Sequence, residues 1–143
     1  MSTASTETQT LSETQILSAP EADYMNSAQL EFFRQRLVEL YDSTRTRISE
    51  AKEQICNPIS SSDPNDRASS EELSAISLRI VNREQMLLPK IQQSLERIRT
   101  GTYGYCVESD EPIGIRRLLA RPTAEYCAEV KALMELKENH YRD

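Results

Sequence analysis

Two long runs keep their apolar side chains three and four positions apart, with only a short polar break between them. The first run has Leu30, Phe33, Leu37, Leu40, Thr44, Ile48 and Ile55 in register; the second has Leu73, Ile76, Ile80, Val81, Leu88, Ile91, Leu95 and Ile98. That spacing draws one narrow stripe along each helix, as in a coiled coil. The break, residues 57–70, is rich in Pro, Ser and Asp, and Pro58 stops the first helix from continuing. So short a connection folds the two helices back antiparallel. Each arm of roughly 30 residues is about 45 Å long at 1.5 Å per residue. The expected fold class is all-α: a long antiparallel coiled-coil hairpin, a small globular end and a C-terminal helix.

Composition fits that class. The chain has 143 residues, no Trp, 2 Phe and 3 Gly, too few turn residues for a β-sandwich or barrel. No run approaches the roughly 20 apolar residues of a membrane span, and the first residues lack the basic and apolar regions of a secretory signal. Three cysteines, Cys56, Cys106 and Cys127, make no even disulfide framework, so a reduced cytoplasmic protein is expected.

Net charge is −6 but uneven. Residues 1–77 carry 6 Lys+Arg against 13 Asp+Glu, net −7; residues 78–121 carry 8 against 5, net +3; residues 122–143 carry 3 against 5, net −2. The acidic total argues against nonspecific DNA binding, which needs a broad basic face. The central excess suits a small anion or an acidic partner surface.

Along the chain, residues 1–23 read as a flexible tail, with a short docked amphipathic piece around Leu11, Ile16 and Leu17 as the alternative. Asn26 with Gln29 reads as a capping box, opening a helix from Ser27 to Ile55, with Tyr24 or Met25 placed to staple against Leu30. At the turn, Asp63-Pro64-Asn65-Asp66 is ordinary turn chemistry. Asp66, or Ser69 with Glu72, is expected to cap a second helix from Ser70 to Arg99, closed by Thr100-Gly101. Two carboxylates at the end of a hairpin also suit a metal ion or a basic loop of a partner. Pro89 lies inside the second helix and predicts a kink. Arg79, Arg83 and Lys90 fall near one face of it, which reads first as a solvated charged face. Residues 24–100 form the hairpin on this reading, and residues 101–143 the globular end.

All three glycines fall in residues 101–122, with Pro112 between short apolar runs. Thr123 then reads as the cap of a last helix to Asn139, with Leu133 and Leu136 on its apolar face. The module has the outline of a four-cysteine zinc site, C-x2-C…C-x2-C, but Cys106 is followed three residues later by Ser109, and Cys127 by Val130. Structural zinc takes four S or N donors, so no structural zinc is expected. Tyr103, Tyr105, Ile113, Ile115, Leu118 and Val130 are expected to hold the module by packing instead.

Three separated stretches resemble the DksA/TraR family. Gly104-Tyr105-Cys106, Ile113-Gly-Ile-Arg-Arg-Leu118, Ala120-Arg-Pro-Thr-Ala124 and Cys127 look like its zinc-finger motif. Asp63-Pro64-Asn65-Asp66-Arg67-Ala68 resembles its D-x-x-D-x-A tip, and Tyr24–Leu30 resembles its start. The resemblance covers about residues 24–137, and the two lost finger cysteines make the chain similar to the family's zinc-independent members. It implies a bacterial transcription regulator that binds RNA polymerase rather than DNA, works as a monomer, and enters the secondary channel with its tip near the active site. It implies that Asp63, Asp66 and Ala68 form the functional tip and that Arg83 contacts polymerase. It also implies that guanosine tetraphosphate binds at the polymerase interface beside Leu87, Lys90, Arg121 and Lys131. The alternatives are a secondary-channel factor for transcript cleavage, with the tip carboxylates holding a second Mg²⁺, and a plain coiled-coil adaptor. One His near the end, no nucleophile–base set and no Gly-rich phosphate loop argue against an enzyme.

Overall fold

The structure is a computed structural model; it describes residues 11–56 and 64–142, with the backbone alone at 56, 64–66, 141 and 142. Its helices are α1 (Glu13–Ser18), α2 (Ser27–Cys56), α3 (Pro64–Thr100), α4 (Ile115–Ala120) and α5 (Ala128–Arg142), with one 3-10 turn at Glu21–Asp23. The β-structure among the described residues is a single antiparallel bridge between Tyr105 and Pro112. No helix among them is long and apolar enough to cross a membrane.

The long helices start for local reasons. The Asn26 side chain accepts the Gln29 backbone N–H at 2.9 Å, so the expected cap is present. Its return arm lands one residue early: Gln29 Oε1 accepts from the Met25 N–H at 2.9 Å, and Met25 has a positive φ of 54°. α3 begins at Pro64, not near Ser70. Proline's fixed φ and missing N–H suit a first helical position, and the eight residues after it contain no helix breaker. Asp66 and Ser69 therefore lie inside the helix, and the caps expected there do not arise. α3 continues through Pro89 and ends as expected. Gly101 takes a φ of 82°, and the Arg97 carbonyl accepts the N–H groups of both Thr102 (2.9 Å) and Tyr103 (3.2 Å).

The chain divides into two compact units, one holding Val38–Gln92 and the other the described residues up to Leu37 and from Gln93 onward. In the first unit α2 and α3 pack against each other as a hairpin. Its core is Ile48, Ala51 and Val81, flanked by Ile55, Ile80 and Leu88. Each fully buried aliphatic side chain there contributes about 1.5–3 kcal/mol. Thr44, Ser77 and Glu84 are buried beside them, whereas Leu73 and Ile76 are half exposed. The buried stripe of α3 thus passes through Ser77, Val81 and Glu84. An apolar template slides off it because two of those three residues are polar.

In the other unit Phe33, Leu37, Tyr103, Ile16 and Leu118 are almost wholly buried. The Phe33 ring lies 5.6 Å from Tyr103 and meets Phe32 edge-on at 5.2 Å. Residues 11–23 are not the expected tail. Ser12 and Gln15 close a capping box on α1, α1 packs on α4, Ile16 is 1% exposed, and Glu13 pairs with Arg36. One apolar residue with a complete cap is enough to dock a single turn.

α5 also starts later than the sequence suggests. Thr123 is buried in a turn closed by the Ala124 N–H on the Arg121 carbonyl (3.0 Å). The first bond of α5 runs from the Lys131 N–H to the Cys127 carbonyl (3.0 Å), and the helix extends to Arg142. Leu133 and Leu136 are 59% and 65% exposed, so the apolar face expected there faces solvent.

Candidate functional site

The finger-like module is built on backbone. Ile113 N–H donates to the Gly104 carbonyl (2.8 Å), Cys106 N–H to the Glu111 carbonyl (2.8 Å) and Val107 N–H to the Glu125 carbonyl (2.9 Å). The Arg117 guanidinium holds the Tyr126 carbonyl at 2.9 Å, and the Tyr103 hydroxyl donates to the Pro122 carbonyl at 2.7 Å. From outside the module, the Tyr24 hydroxyl donates to the Gly104 carbonyl and accepts from the Gly114 N–H at 3.0 Å. Gly104 permits this approach. Its φ is 92°, and a Cβ there would lie 2.7 Å from Met25 Cγ. Of the packing residues expected from sequence, Tyr103, Ile113 and Leu118 are buried, Ile115 and Val130 half-buried, and Tyr105 exposed.

Three of the four finger positions converge. Cys106 and Cys127 are both buried and unoxidised, and the Ser109 hydroxyl lies 3.9 Å from Cys127 Sγ. Burial raises the Cys106 thiol, but the Ser109 hydroxyl and the backbone N–H groups of Cys127, Ser109 and Glu108 outweigh it and bring the group from 9.0 down to about 7. Val130, at the fourth position, carries no donor atom. A C4-type site needs four sulfurs, and two thiols with a hydroxyl do not fit a structural zinc. No group of three or more His, Cys, Asp or Glu among the described residues is placed to hold a metal ion.

The arm residues lie on α3. Arg83 is 77% exposed in its side chain, Leu87 is half-buried and Lys90 exposed, all in the hairpin unit. Arg121 (exposed, after α4) and Lys131 (half-buried, on α5) belong to the other unit. At the tip, Asp63 lies outside the described residues, Asp66 is described only in its helical backbone, and Ala68 is exposed on α3. Sequence reasoning missed Glu84, buried in the hairpin with one carboxylate oxygen on Arg47 at 3.0 Å. A search for apolar periodicity passes over a carboxylate.

A two-helix hairpin followed by a finger-like loop and a closing helix defines an all-α class of protein with a degenerate zinc-finger module. Residues 29–98 match the family model "DnaK suppressor protein DksA, N-terminal domain", and residues 101–135 match "Prokaryotic dksA/traR C4-type zinc finger". The RNA polymerase-binding transcription factor DksA of Caulobacter vibrioides is 41% identical over 124 residues, 84% of this chain and 85% of that protein. The protein of that name from Escherichia coli K12 is 38% identical over 123 residues, 83% and 80% of the two chains. The structure of transcription factor DksA2 from Pseudomonas aeruginosa covers 90% of this chain and 100% of its own, at 43% identity and a TM-score of 0.77. The chain belongs to the DksA/TraR family.

Proposed function

We propose that this protein is a cytoplasmic, monomeric regulator that binds RNA polymerase, enters its secondary channel and modulates initiation together with guanosine tetraphosphate, without binding DNA and without zinc. The observation that carries this reading is the succession of the two family matches on a helical hairpin and its finger-like module. The relatives' names supply the partner. The hairpin supplies the element that enters: Asp63 directly precedes α3 in sequence, and Asp66 and Ala68 fall in its first turns. Arg83 meets polymerase from the arm. Leu87, Lys90, Arg121 and Lys131 serve the alarmone, whose phosphates suit charge-assisted hydrogen bonds from Arg and Lys. An acidic protein of net charge −6 avoids the DNA backbone. The finger positions Cys106, Ser109, Cys127 and Val130 offer two thiols, a hydroxyl and no fourth donor, which supports zinc independence, and such a member stands in for zinc-bearing relatives when zinc is scarce.

The test is transcription by purified polymerase on promoters with short-lived open complexes, with and without alarmone. Asp66→Asn is expected to abolish the effect on initiation and leave polymerase binding largely intact. A mutant as active as the parent protein refutes the tip assignment. Mg²⁺-dependent shortening of the transcript in a stalled complex shifts the reading to a cleavage factor.

A further inference from the structure

Glu84 is an expensive residue where it stands. Its side chain is 10% exposed, and the helical spacing puts it on the face of α3 that carries Val81 and Leu88, where an aliphatic residue would be buried at no desolvation cost. Its two oxygens face different partners. Oε2 accepts a hydrogen bond at 3.0 Å from Arg47, on the opposite helix of the hairpin. The same Arg47 nitrogen donates to Thr44 Oγ1 at 3.1 Å, and the fully buried Thr44 hydroxyl donates to the Leu40 carbonyl at 2.6 Å. Oε1 lies 3.7 Å from the guanidinium of Arg83. Neighbouring residues on a helix point about 100° apart and do not ordinarily meet. The Arg83 side chain remains 77% exposed, but its guanidinium is turned sideways along α3 so that one nitrogen comes within ion-pair range of Glu84.

We propose that Glu84 is a positioning residue for Arg83: anchored through Arg47 and Thr44 to the opposite helix, its carboxylate holds the Arg83 guanidinium in one orientation, ready for an acidic or carbonyl-lined surface on polymerase. This rests on the reading of Arg83 as a polymerase contact. The physical gain is preorganisation. A free Arg side chain loses rotamer freedom when it docks, and a neighbour that has already restricted it removes part of that loss.

Two measurements test this. The first needs no partner: ¹⁵N relaxation of the Arg83 Nε–Hε group in the free protein. Glu84→Gln keeps the shape and removes the charge, and Arg83 is expected to become more mobile. Unchanged mobility overturns the proposal, whatever Arg83 does on polymerase. The second is a double-mutant cycle on affinity for purified RNA polymerase. Glu84→Gln is expected to weaken binding about threefold when Arg83 is present and to leave it unchanged in an Arg83→Ala background. Equal losses in both backgrounds make Glu84 a merely structural residue. If Arg83→Ala alone binds like the parent, the arm contact itself fails and the proposal with it, an outcome that the relaxation measurement tells apart from a failure of positioning. Should Glu84→Gln unfold the hairpin, Glu84→Asp withdraws the carboxylate by one methylene, keeps its charge, and is expected to free Arg83 in the same way; an Arg83 still restrained in that variant overturns the proposal.

Discussion

The hydroxyl of Tyr24 accepts a hydrogen bond from the backbone N–H of Gly114 at 3.0 Å, across 90 residues of sequence. It also donates to the Gly104 carbonyl, so one oxygen ties together both ends of the loop that contains Cys106. Tyr24→Phe keeps the ring and its edge-on contact with Tyr105, removes the partner of the Gly114 N–H, and leaves the Gly104 carbonyl with the Ile113 N–H alone. The expected loss is about 1–2 kcal/mol. A denaturant titration reads it directly, and an unshifted midpoint refutes it.

Gly104 and Gly101 separate two kinds of glycine requirement. Both have positive φ, 92° and 82°, but a Cβ at Gly104 meets Met25 at 2.7 Å whereas one at Gly101 meets nothing within 4 Å. Gly101→Ala is expected to cost about 1–2 kcal/mol of backbone strain. Gly104→Ala adds a steric clash with the buried Met25 and is expected to cost clearly more. Thermal melts of the two variants decide the order, and the reverse order contradicts the packing described.

The docking of α1 is tested by an adjacent pair. Ile16 is 1% exposed and Leu17 is 48% exposed. Ile16→Ala is expected to destabilise by about 2–4 kcal/mol, and Leu17→Ala by less than about 0.5 kcal/mol. Equal effects in equilibrium unfolding mean that the segment does not pack as described.

The Cys106 thiol gives a pH signature. Its value falls from 9.0 to about 7 on folding, so the thiolate is favoured in the folded protein. The corresponding stability is fully present above pH 9 and is lost as pH falls through about 7. Stability therefore climbs between these limits in the parent protein, and Cys106→Ser is expected to flatten the climb. Thiolate absorbance in the ultraviolet, compared between the two proteins, gives the midpoint. A midpoint near 9 contradicts the hydrogen-bonding account.

Metal removal is the fifth test. With two thiols, a hydroxyl and a valine at the finger positions, excess chelator is expected to leave helix content and transcriptional activity unchanged. Loss of either on chelation, restored by added Zn²⁺, overturns the expectation.

The long helices were legible because steps of three and four persist for about 30 residues in each. Asn26 and Gly101 marked one start and one end correctly, since a cap residue acts on its immediate neighbours. One error is local, the start of α3 at Pro64 instead of near Ser70; the others fall where distant residues decide. Thr123 has the chemistry of a cap but sits in a turn bound back on Arg121. The segment 11–23 looks polar until Ile16 finds α4. Glu84 reads as a surface carboxylate until Arg47 is placed opposite it. The loss of two finger cysteines was plain in the sequence. The convergence of Ser109 with both remaining thiols was not, because it depends on the fold of the loop from Gly104 to Glu111.

Tyr103 is fastened at both ends, its N–H on the Arg97 carbonyl and its hydroxyl on the Pro122 carbonyl, with its ring against Phe33. The stretch from Gly101 to Cys127 has little regular secondary structure, yet it is riveted at intervals too close to spool out. A protease must thread an extended length of chain through its cleft, and this region offers it little slack. Digestion of the native protein should begin elsewhere and spare the part that, on paper, looks easiest to cut.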